Sequence, residues 1–275
     1  MEKITIKNGY GEKLAGNLYY HYNSDTLFII SHGFMGSKNS RFMSNLSENL
    51  YNGLGVSVFA FDFSGNGESE GVFGNAGILK EKDDLCSVIN FFRNFKNIIL
   101  VGHSMGAAVS LLSANCYKNI KGLVLHSGLV FPLLSFKSSI LKLNPIVVIS
   151  KRRDDFLKDL NNYEKSVKNF FVKRLVDNTN HAIRRILKKT TLNKSFFEEA
   201  TKVDLINKVK SVHKPLLIIH GSRDEIIPKN HAEYLFRHAN NPKKMVILNS
   251  IHEPILIKDI KEASDEVIKW YKKTF

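Results

Sequence analysis

The pentapeptide GHSMG at residues 102–106 is the strongest indication of chemistry in this chain. It fits the pattern G-x-S-x-G and stands between an apolar run, IILV, and a helical run, AAVSLLSANCY. In this context the turn from strand to helix is so tight that only very small residues fit two positions before and after the serine. The pattern therefore predicts that Ser104 is a nucleophile held at the head of a helix.

A serine hydroxyl is a poor nucleophile at neutral pH and needs a base, usually a histidine that a carboxylate orients. Among the ten histidines, His252 follows the last apolar run, KMVIL, and precedes the final helical stretch. Asp224 lies four residues past the end of the preceding run, LLIIH, and Glu225 is the alternative carboxylate. We expect Ser104, Asp224 and His252 to form a catalytic triad.

Acyl transfer also needs N–H donors for the negative oxygen of the tetrahedral intermediate. Met105 follows the nucleophile at a helix N-terminus, where the helix dipole favours negative charge. The second donor is expected from the loop SHGFMG (31–36), in which Gly33 permits an unusual turn and Phe34 supplies the N–H. His103, His126 and Gly33 are further candidates for the lining of the substrate pocket.

Short apolar, β-branched runs alternate with helical stretches along most of the chain, which favours a mostly parallel sheet with helices on both faces. Strands are expected at Ile4–Lys7, Asn17–Tyr22, Leu27–Ser31, Val56–Phe61, Ile98–Gly102, Gly122–His126, Leu216–His220 and Lys244–Leu248. Helices are expected at Arg41–Tyr51, Ile78–Phe95, Ser104–Tyr117, Asn230–Ala239 and Lys258–Lys272.

The alternation stops between residues 131 and 210, a stretch that is helical in composition and has no convincing strand. We interpret it as a helical cap inserted into one core domain, which comprises residues 1–130 and 211–275. The apolar first part of the insert is expected to line an acyl or aromatic pocket. The contacts with substrate are expected from Phe131, Leu133, Leu134 and Phe136.

The net charge of +14 is concentrated in the same insert, which has 18 Lys or Arg and 8 Asp or Glu. The simplest interpretation is a solvated helix face, because Lys and Arg stems cover apolar surface while their charged ends stay in water. The alternative is weak attraction of anionic substrates or anionic membranes. A nucleic-acid-binding function is disfavoured because no RNA-binding signature accompanies the basic residues.

The motifs together resemble the α/β-hydrolase superfamily, and most closely its capped serine hydrolases, which include monoacylglycerol-lipase-like enzymes and feruloyl or cinnamoyl carboxylesterases. The resemblance rests on HGFMGS (32–37), FDFSGNGESEG (61–71), GHSMG (102–106), HGSRDEIIP (220–228) and His252-Glu253. The order Ser, Asp, His along the chain is that of this superfamily. The resemblance implies an eight-stranded, mostly parallel sheet with a helical cap after the sixth strand.

FDFSGNGESEG departs from the pattern D-x-R-G-H-G of the family, because Ser64 and Asn66 replace the basic residue and the histidine. We therefore interpret this segment as a structural turn. The expected activity is hydrolysis of carboxylic esters, with a thioesterase or acyltransferase as the alternative and a serine aminopeptidase as a less favoured one. Neither a metal nor a cofactor is expected, and the oligomeric state is left open.

The remaining composition indicates an ordinary globular protein. Hydrophobic residues make up 43% of the 275 residues and charged residues 24%, which is enough apolar material for a large core. The two cysteines, Cys86 and Cys116, have no metal-binding spacing and are expected to be reduced thiols. The N-terminus has no signal-peptide pattern and no apolar run is long enough to span a membrane, so we expect a cytoplasmic protein.

Overall fold

The structure is a computed structural model that describes residues 1–132, 148–149, 191–192 and 194–275. Eight strands form the central sheet, and two further strands of two residues each pair with one another. In chain order, the strands are β1 (Glu2–Lys7), β2 (Lys13–Tyr19), β3 (Thr26–Ser31), β4 (Ser57–Phe61), β5 (Asn97–His103), β6 (Ile120–His126), β7 (Val148–Ile149), β8 (Thr191–Leu192), β9 (Leu216–Gly221) and β10 (Lys243–Leu248).

The central sheet has the order β1-β2-β4-β3-β5-β6-β9-β10. Strand β2 runs antiparallel to both of its neighbours, β1 and β4, while the other five neighbouring pairs are parallel. The predicted fold, an eight-stranded and mostly parallel sheet, is therefore confirmed. Because β3, β5, β9 and β10 are parallel, their carboxyl ends meet at one edge of the sheet, where ligands bind in folds of this class.

Helices cover both faces of the sheet, as the alternation in the sequence predicts. The helices of the described residues are α1 (Arg41–Leu54), α2 (Ile78–Phe91), α3 (Met105–Ser113), α4 (Lys194–Lys202), α5 (Leu205–Lys210), α6 (Asn230–His238) and α7 (Ile257–Thr274). Residues of α1 and α7 pack in one apolar cluster on one face, and residues of α2, α3, α5 and α6 pack in another on the opposite face.

Local sequence explains where α1 begins and ends. The Ser40 hydroxyl oxygen accepts a hydrogen bond from Met43 N–H, which satisfies one of the free donors of the first turn. Gly55 ends the helix with a φ of 63°, a left-handed conformation that glycine adopts without strain. Between these ends, Phe42, Leu46 and Leu50 face the sheet and are buried.

The predicted insert is separated by four residues from the end of β6 and by five residues from the start of β9. Its described part contains α4 and α5, which agree with the helical composition. It also contains β7 and β8, which pair in parallel, so the expectation that the insert has no strand is wrong there. Two-residue strands are too short to produce an alternating apolar pattern, which explains why the sequence did not indicate them. Within the described residues, no helix has both the length and the apolar character that a membrane span requires.

Candidate active site

Ser104 lies at the turn between β5 and α3, as the motif predicts. Its φ of 54° and ψ of −115° are unusual for a residue with a side chain, and backbone strain of this kind occurs at functional sites. The surrounding structure holds the turn in place, because Ser104 N–H donates to the carbonyl oxygen of His126 over 2.9 Å. Ser104 is thereby placed at the carboxyl edge of the sheet, ahead of the N-terminus of α3.

The two glycines of the motif are required by close packing of the backbone. A Cβ atom at Gly102 would run into the backbone of Gly106, on the other side of the turn. A Cβ atom at Gly106 would run into the carbonyl oxygens of Ser31 and His32, at the end of β3. Side chains at either position would therefore push apart the nucleophile turn and the neighbouring strand.

The structure brings the three residues of the predicted triad together. Ser104 Oγ lies 2.9 Å from Nε2 of His252, and Nδ1 of the same ring lies 2.7 Å from Oδ2 of Asp224. Since the Asp224 carboxylate can only accept, Nδ1–H donates to it, and Nε2 is left to accept the hydroxyl proton of Ser104. This tautomer is the one that a general base at Ser104 requires.

The Asp224 carboxylate is buried and has several hydrogen-bond donors. Oδ1 accepts from the N–H groups of Ile226 and Ile227, at 3.0 and 2.7 Å. Nε2 of the buried His220 donates to the Ile227 carbonyl oxygen over 2.8 Å and lies 3.4 Å from Asp224 Oδ2. Burial raises the pKa of Asp224, but the hydrogen bond and charge of His252 and the Ile227 N–H outweigh it, so the pKa is lowered. The carboxylate therefore stays ionised beside His252.

The loop after β3 passes directly against the nucleophile. A Cβ atom at Gly33 would lie 3.0 Å from Ser104 Cβ, a tight contact that glycine avoids where the backbone approaches the nucleophile. Phe34 follows in the same loop, and Met105 is the first residue of α3, whose N–H has no acceptor within its own helix. His32 anchors the loop, because its Nε2 accepts from Phe63 N–H over 3.1 Å and its Nδ1 lies 2.7 Å from the Gly33 carbonyl oxygen.

His103 and His126 lie behind the triad. The ring of His103 is 4.9 Å from the ring of His252, and its Nδ1 is 3.1 Å from Nδ1 of His126. Burial is the main cause that lowers the pKa of His103 well below its ordinary value and the pKa of His126 to about 3. Both rings are therefore neutral at physiological pH, and they add no positive charge next to His252.

A cavity of about 60 Å³ lies at Ser104. Its lining includes the predicted residues Gly33, Phe34, His103, Ser104 and His252, and it also includes His32, Gly36, Ser40, Met43 and Glu253. Phe131 does not line this cavity. Its ring packs 5.7 Å from the rings of His231 and Tyr234, and it lines a separate groove with Val130, Pro132 and residues 200–201 and 203–206. Leu133, Leu134 and Phe136 lie outside the described residues.

Several residues near the site were not among the site residues predicted from the sequence. Lys38, in the segment that follows the loop after β3, is buried and forms an ion pair with Asp62. Phe73 and Phe196 pack against Phe34, with ring centroids 5.6 and 5.4 Å away. Glu253 follows the triad histidine and lines the cavity. Only Glu253 had a sequence signal, its position next to His252, while the others depend on long-range packing.

The polar groups at this site suit acid–base chemistry rather than metal binding. In the described part of the chain, no group of three or more His, Cys, Asp or Glu side chains is arranged to hold a metal ion. The imidazole nitrogens of His252 are both engaged, by Ser104 and by Asp224.

Comparison with known proteins places the chain in a family. The family model described as "Serine aminopeptidase, S33" matches residues 22–255. A Mycoplasma pneumoniae protein named as an esterase/lipase is 30% identical over 234 residues, which cover 82% of each chain. A Monkeypox virus protein named as a monoglyceride lipase homolog is 28% identical over 268 residues, which cover 88% of this chain and 86% of its own.

Solved structures agree with the fold. The structure of Est1E from Butyrivibrio proteoclasticus with bound ferulic acid superimposes with a TM-score of 0.72, covers 97% of this chain and 98% of its own, and is 22% identical in sequence. At that identity the likeness establishes the fold alone. The family match and the relatives above identify the protein as a hydrolytic enzyme that belongs to the serine aminopeptidase S33 family of α/β hydrolases.

Proposed function

We propose that the protein is a serine carboxylic-ester hydrolase that works through an acyl-enzyme. The observation that carries the proposal is the continuous array in which Ser104 Oγ lies 2.9 Å from His252 Nε2 and Asp224 Oδ2 lies 2.7 Å from His252 Nδ1. The order and geometry are those by which a histidine activates a serine hydroxyl.

In the acylation step, Ser104 Oγ attacks the carbonyl carbon of the ester while His252 Nε2 takes the hydroxyl proton. The imidazolium that forms is stabilised by the ionised Asp224 carboxylate, to which it remains hydrogen-bonded. The tetrahedral intermediate then collapses, and its C–O bond to the alcohol breaks. His252 returns the proton to the departing alcohol oxygen, which leaves the acyl group on Ser104.

The negative oxygen of the intermediate would be bound by the N–H groups of Phe34 and Met105. Two features support this assignment: the close approach of Gly33 to Ser104, and the position of Met105 at the first turn of α3. Donors aimed at the developing charge stabilise the transition state more than the ground state, and loss of one such donor costs about 3–4 kcal/mol. In deacylation, water takes the place of the alcohol and the same groups act again.

The acyl group is proposed to be small to medium in size or aromatic, as in monoacylglycerols or cinnamoyl esters. The names of a relative, a monoglyceride lipase homolog, and of a structural neighbour with bound ferulic acid support these two classes. The rings of Phe34, Phe73 and Phe196 support them too, since they form an apolar cluster beside the cavity at Ser104.

We also propose that residues 131–210 act as a cap on a core made of residues 1–130 and 211–275. The support comes from the end of the insert. Phe196 of α4 packs against Phe34, and Glu199 of the same helix accepts a hydrogen bond from Leu79 N–H over 3.2 Å. A cap anchored at this point adjoins the loop that carries the proposed oxyanion donor.

The proposal is tested with p-nitrophenyl esters of increasing acyl length, beside feruloyl and monoacylglycerol esters. Ser104→Ala is expected to lower kcat by about 10⁵–10⁶-fold, and Asp224→Asn by about 10⁴-fold, with little change in melting temperature. Glu225→Gln is the matched control and should keep near-normal kcat. An organophosphonate should label Ser104. Full ester hydrolysis by Ser104→Ala, or loss of activity in Glu225→Gln instead of Asp224→Asn, would refute the assignment.

A second candidate is aminopeptidase activity, which the family description suggests. One observation favours it: Glu253 lines the cavity at Ser104 and could pair with a substrate ammonium group. Matched amino-acid esters and anilides, with and without a free amino group, separate the two functions. Preference for free-amine anilides that disappears in Glu253→Gln would support the peptidase, whereas indifference to the amine supports the esterase.

A further inference from the structure

Two cysteines that the sequence predicts to be reduced thiols lie in contact. Cys86 is on α2, and Cys116 lies three residues beyond the end of α3. Their Sγ atoms are 3.2 Å apart, and no bond joins them. Cys116 is exposed to solvent, while Cys86 is partly buried and lies 3.9 Å from the Ser113 hydroxyl. A small approach of the two sulfurs would bring them to bonding distance, about 2.05 Å.

The surroundings of the pair favour a thiolate at Cys116. The hydrogen bond from the Cys86 thiol is the main cause that lowers the pKa of Cys116, burial opposes it, and the charges of Lys82 and Lys208 add to the lowering. The same contact raises the pKa of Cys86, which therefore stays protonated. An exposed thiolate beside cationic side chains is the environment in which cysteines react with oxidants.

We propose that Cys86 and Cys116 form a reversible oxidation site, in which a hydroperoxide converts the two thiols into an intramolecular disulfide. Cys116 is the attacking thiol, because it is exposed to the oxidant, and Cys86 is the resolving thiol, because it lies within 3.2 Å and is shielded. The site is separate from the cavity at Ser104, whose lining contains neither cysteine.

The chemistry balances in two steps. The Cys116 thiolate attacks the terminal oxygen of the hydroperoxide, the O–O bond breaks, and a sulfenic acid forms while water or an alcohol leaves after protonation. The Cys86 sulfur then attacks the sulfenic sulfur, an S–S bond forms, the S–O bond breaks, and the hydroxyl leaves as water with the proton of Cys86. The hydroperoxide is reduced by two electrons, which come from the two thiols.

The disulfide would tie α2 to the segment between α3 and β6. Helix α3 has nine residues, so its far end is roughly 13 Å from the nucleophile turn at 1.5 Å per residue. Cross-linking at that end is expected to stabilise the fold by restricting the unfolded chain and to leave the catalytic array in place. For a loop of this length, the melting temperature is expected to rise by roughly 5–10 °C, with kcat within twofold of the reduced enzyme.

The test uses the full-length protein with hydrogen peroxide, followed by thiol counting, peptide mapping and thermal melts. The wild type should lose both free thiols, give a Cys86–Cys116 cross-linked peptide and melt at a higher temperature, and dithiothreitol should reverse all three changes. Mapping at the peptide level separates this product from oxidised methionine.

Single variants define the two roles. In Cys86→Ser, dimedone should trap a sulfenic acid at Cys116, because no thiol is present to resolve it. In Cys116→Ser, Cys86 should react far more slowly, and neither variant should gain in melting temperature on oxidation. Retention of both thiols by the peroxide-treated wild type, disulfides only between molecules, or faster trapping at Cys86 than at Cys116 would each overturn the proposal.

Discussion

The Nζ atom of Lys38 lies 2.7 Å from Oδ2 of Asp62, and the two side chains are only 1% and 0% exposed. Lys38 N–H also donates to Asp62 Oδ1 over 2.6 Å, so one residue contacts both carboxylate oxygens. A second carboxylate, Glu68, accepts from the same ammonium group over 2.9 Å. The ion pair joins the segment after the proposed oxyanion loop to the turn after β4, in which Ser64 replaces the basic residue usual in the family.

The first prediction concerns Lys38→Met, which leaves the Asp62 carboxylate buried without its cation. Burial raises the pKa of Asp62, and the N–H of Glu68 together with Lys38 outweighs this effect, so the pKa is lowered. Removal of one partner of a buried ion pair lowers the free energy of unfolding by about 3–5 kcal/mol. We therefore expect urea denaturation at pH 7 to give a free energy of unfolding lower by about 3 kcal/mol or more.

Lys80→Met is the matched control for this measurement. Lys80 pairs with Glu12 over 2.9 Å, but both side chains are partly exposed, and pairs of that kind contribute about 1 kcal/mol or less. The double variant Lys38→Met/Asp62→Asn removes both charges and should recover part of the loss. Equal effects of Lys38→Met and Lys80→Met would contradict the structural role of the buried pair.

Lys38 also illustrates what the sequence could not predict. The eight strands and the placement of Ser104, Asp224 and His252 at their carboxyl ends follow from apolar periodicity and from a turn motif with strict steric requirements. A lysine among glycine and serine residues is normally exposed, and only the approach of Asp62, 24 residues away in the chain, buries it. Long-range pairing of this kind leaves no local pattern.

Helix ends were predicted less well for a related reason. The helix expected over Ile78–Phe95 ends at Phe91, because Phe92 leaves helical geometry and the chain turns back toward β5. The helix expected over Ser104–Tyr117 spans Met105–Ser113. In both segments the apolar pattern continues past the helix, since the following residues still pack on the core. The apolar period of a sequence shows which residues are buried, and residues beyond the end of a helix can be buried as well.

The second prediction concerns Glu81, a carboxyl group in the first turn of α2 that is 1% exposed. Among the described residues, neither of its oxygens has a hydrogen-bond partner. Burial, followed by the charges of Asp84 and Glu199, raises its pKa well above the ordinary value. The native state therefore holds this proton more tightly than the unfolded chain does. Its contribution to stability is present below the unfolded pKa and is lost as the pH rises toward the native pKa.

Glu81→Gln removes this titration and should stabilise the fold at neutral pH. We expect the free energy of unfolding at pH 7.5 to be higher in the variant than in the wild type, because the wild type must either keep a proton on the buried carboxyl group or bury its charge at that pH. The difference should shrink toward pH 4. Glu262→Gln, on the exposed face of α7, is the control and should change little at either pH. If Glu81→Gln is less stable than the wild type at pH 7.5, the Glu81 side chain stabilises the native state at that pH and the prediction is wrong.

The third prediction concerns the loss of stability at low pH that the buried, neutral histidines behind the triad are expected to cause. His126 is 3% exposed, and burial, together with the charges of His220 and His252, lowers its pKa to about 3. The unfolded chain protonates this group near pH 6.5. Between those two values the unfolded state binds more protons than the native state, so the free energy of unfolding decreases as the pH falls. For one such histidine the decrease is about 1.4 kcal/mol per pH unit.

His126→Gln tests this contribution, because an amide can still hydrogen-bond to His103 but does not titrate. Urea denaturation at pH 7.0 and pH 5.5 should show a smaller loss of stability in this variant than in the wild type, by roughly 1 kcal/mol. This interval lies above the range in which Asp62 and Asp224, whose pKa values are lowered, begin to bind protons. His213→Gln, at an exposed position before β9, is the control and should keep the wild-type pH dependence. If His126→Gln loses as much stability as the wild type, the acid sensitivity arises elsewhere and the His126 ring is not held neutral by burial.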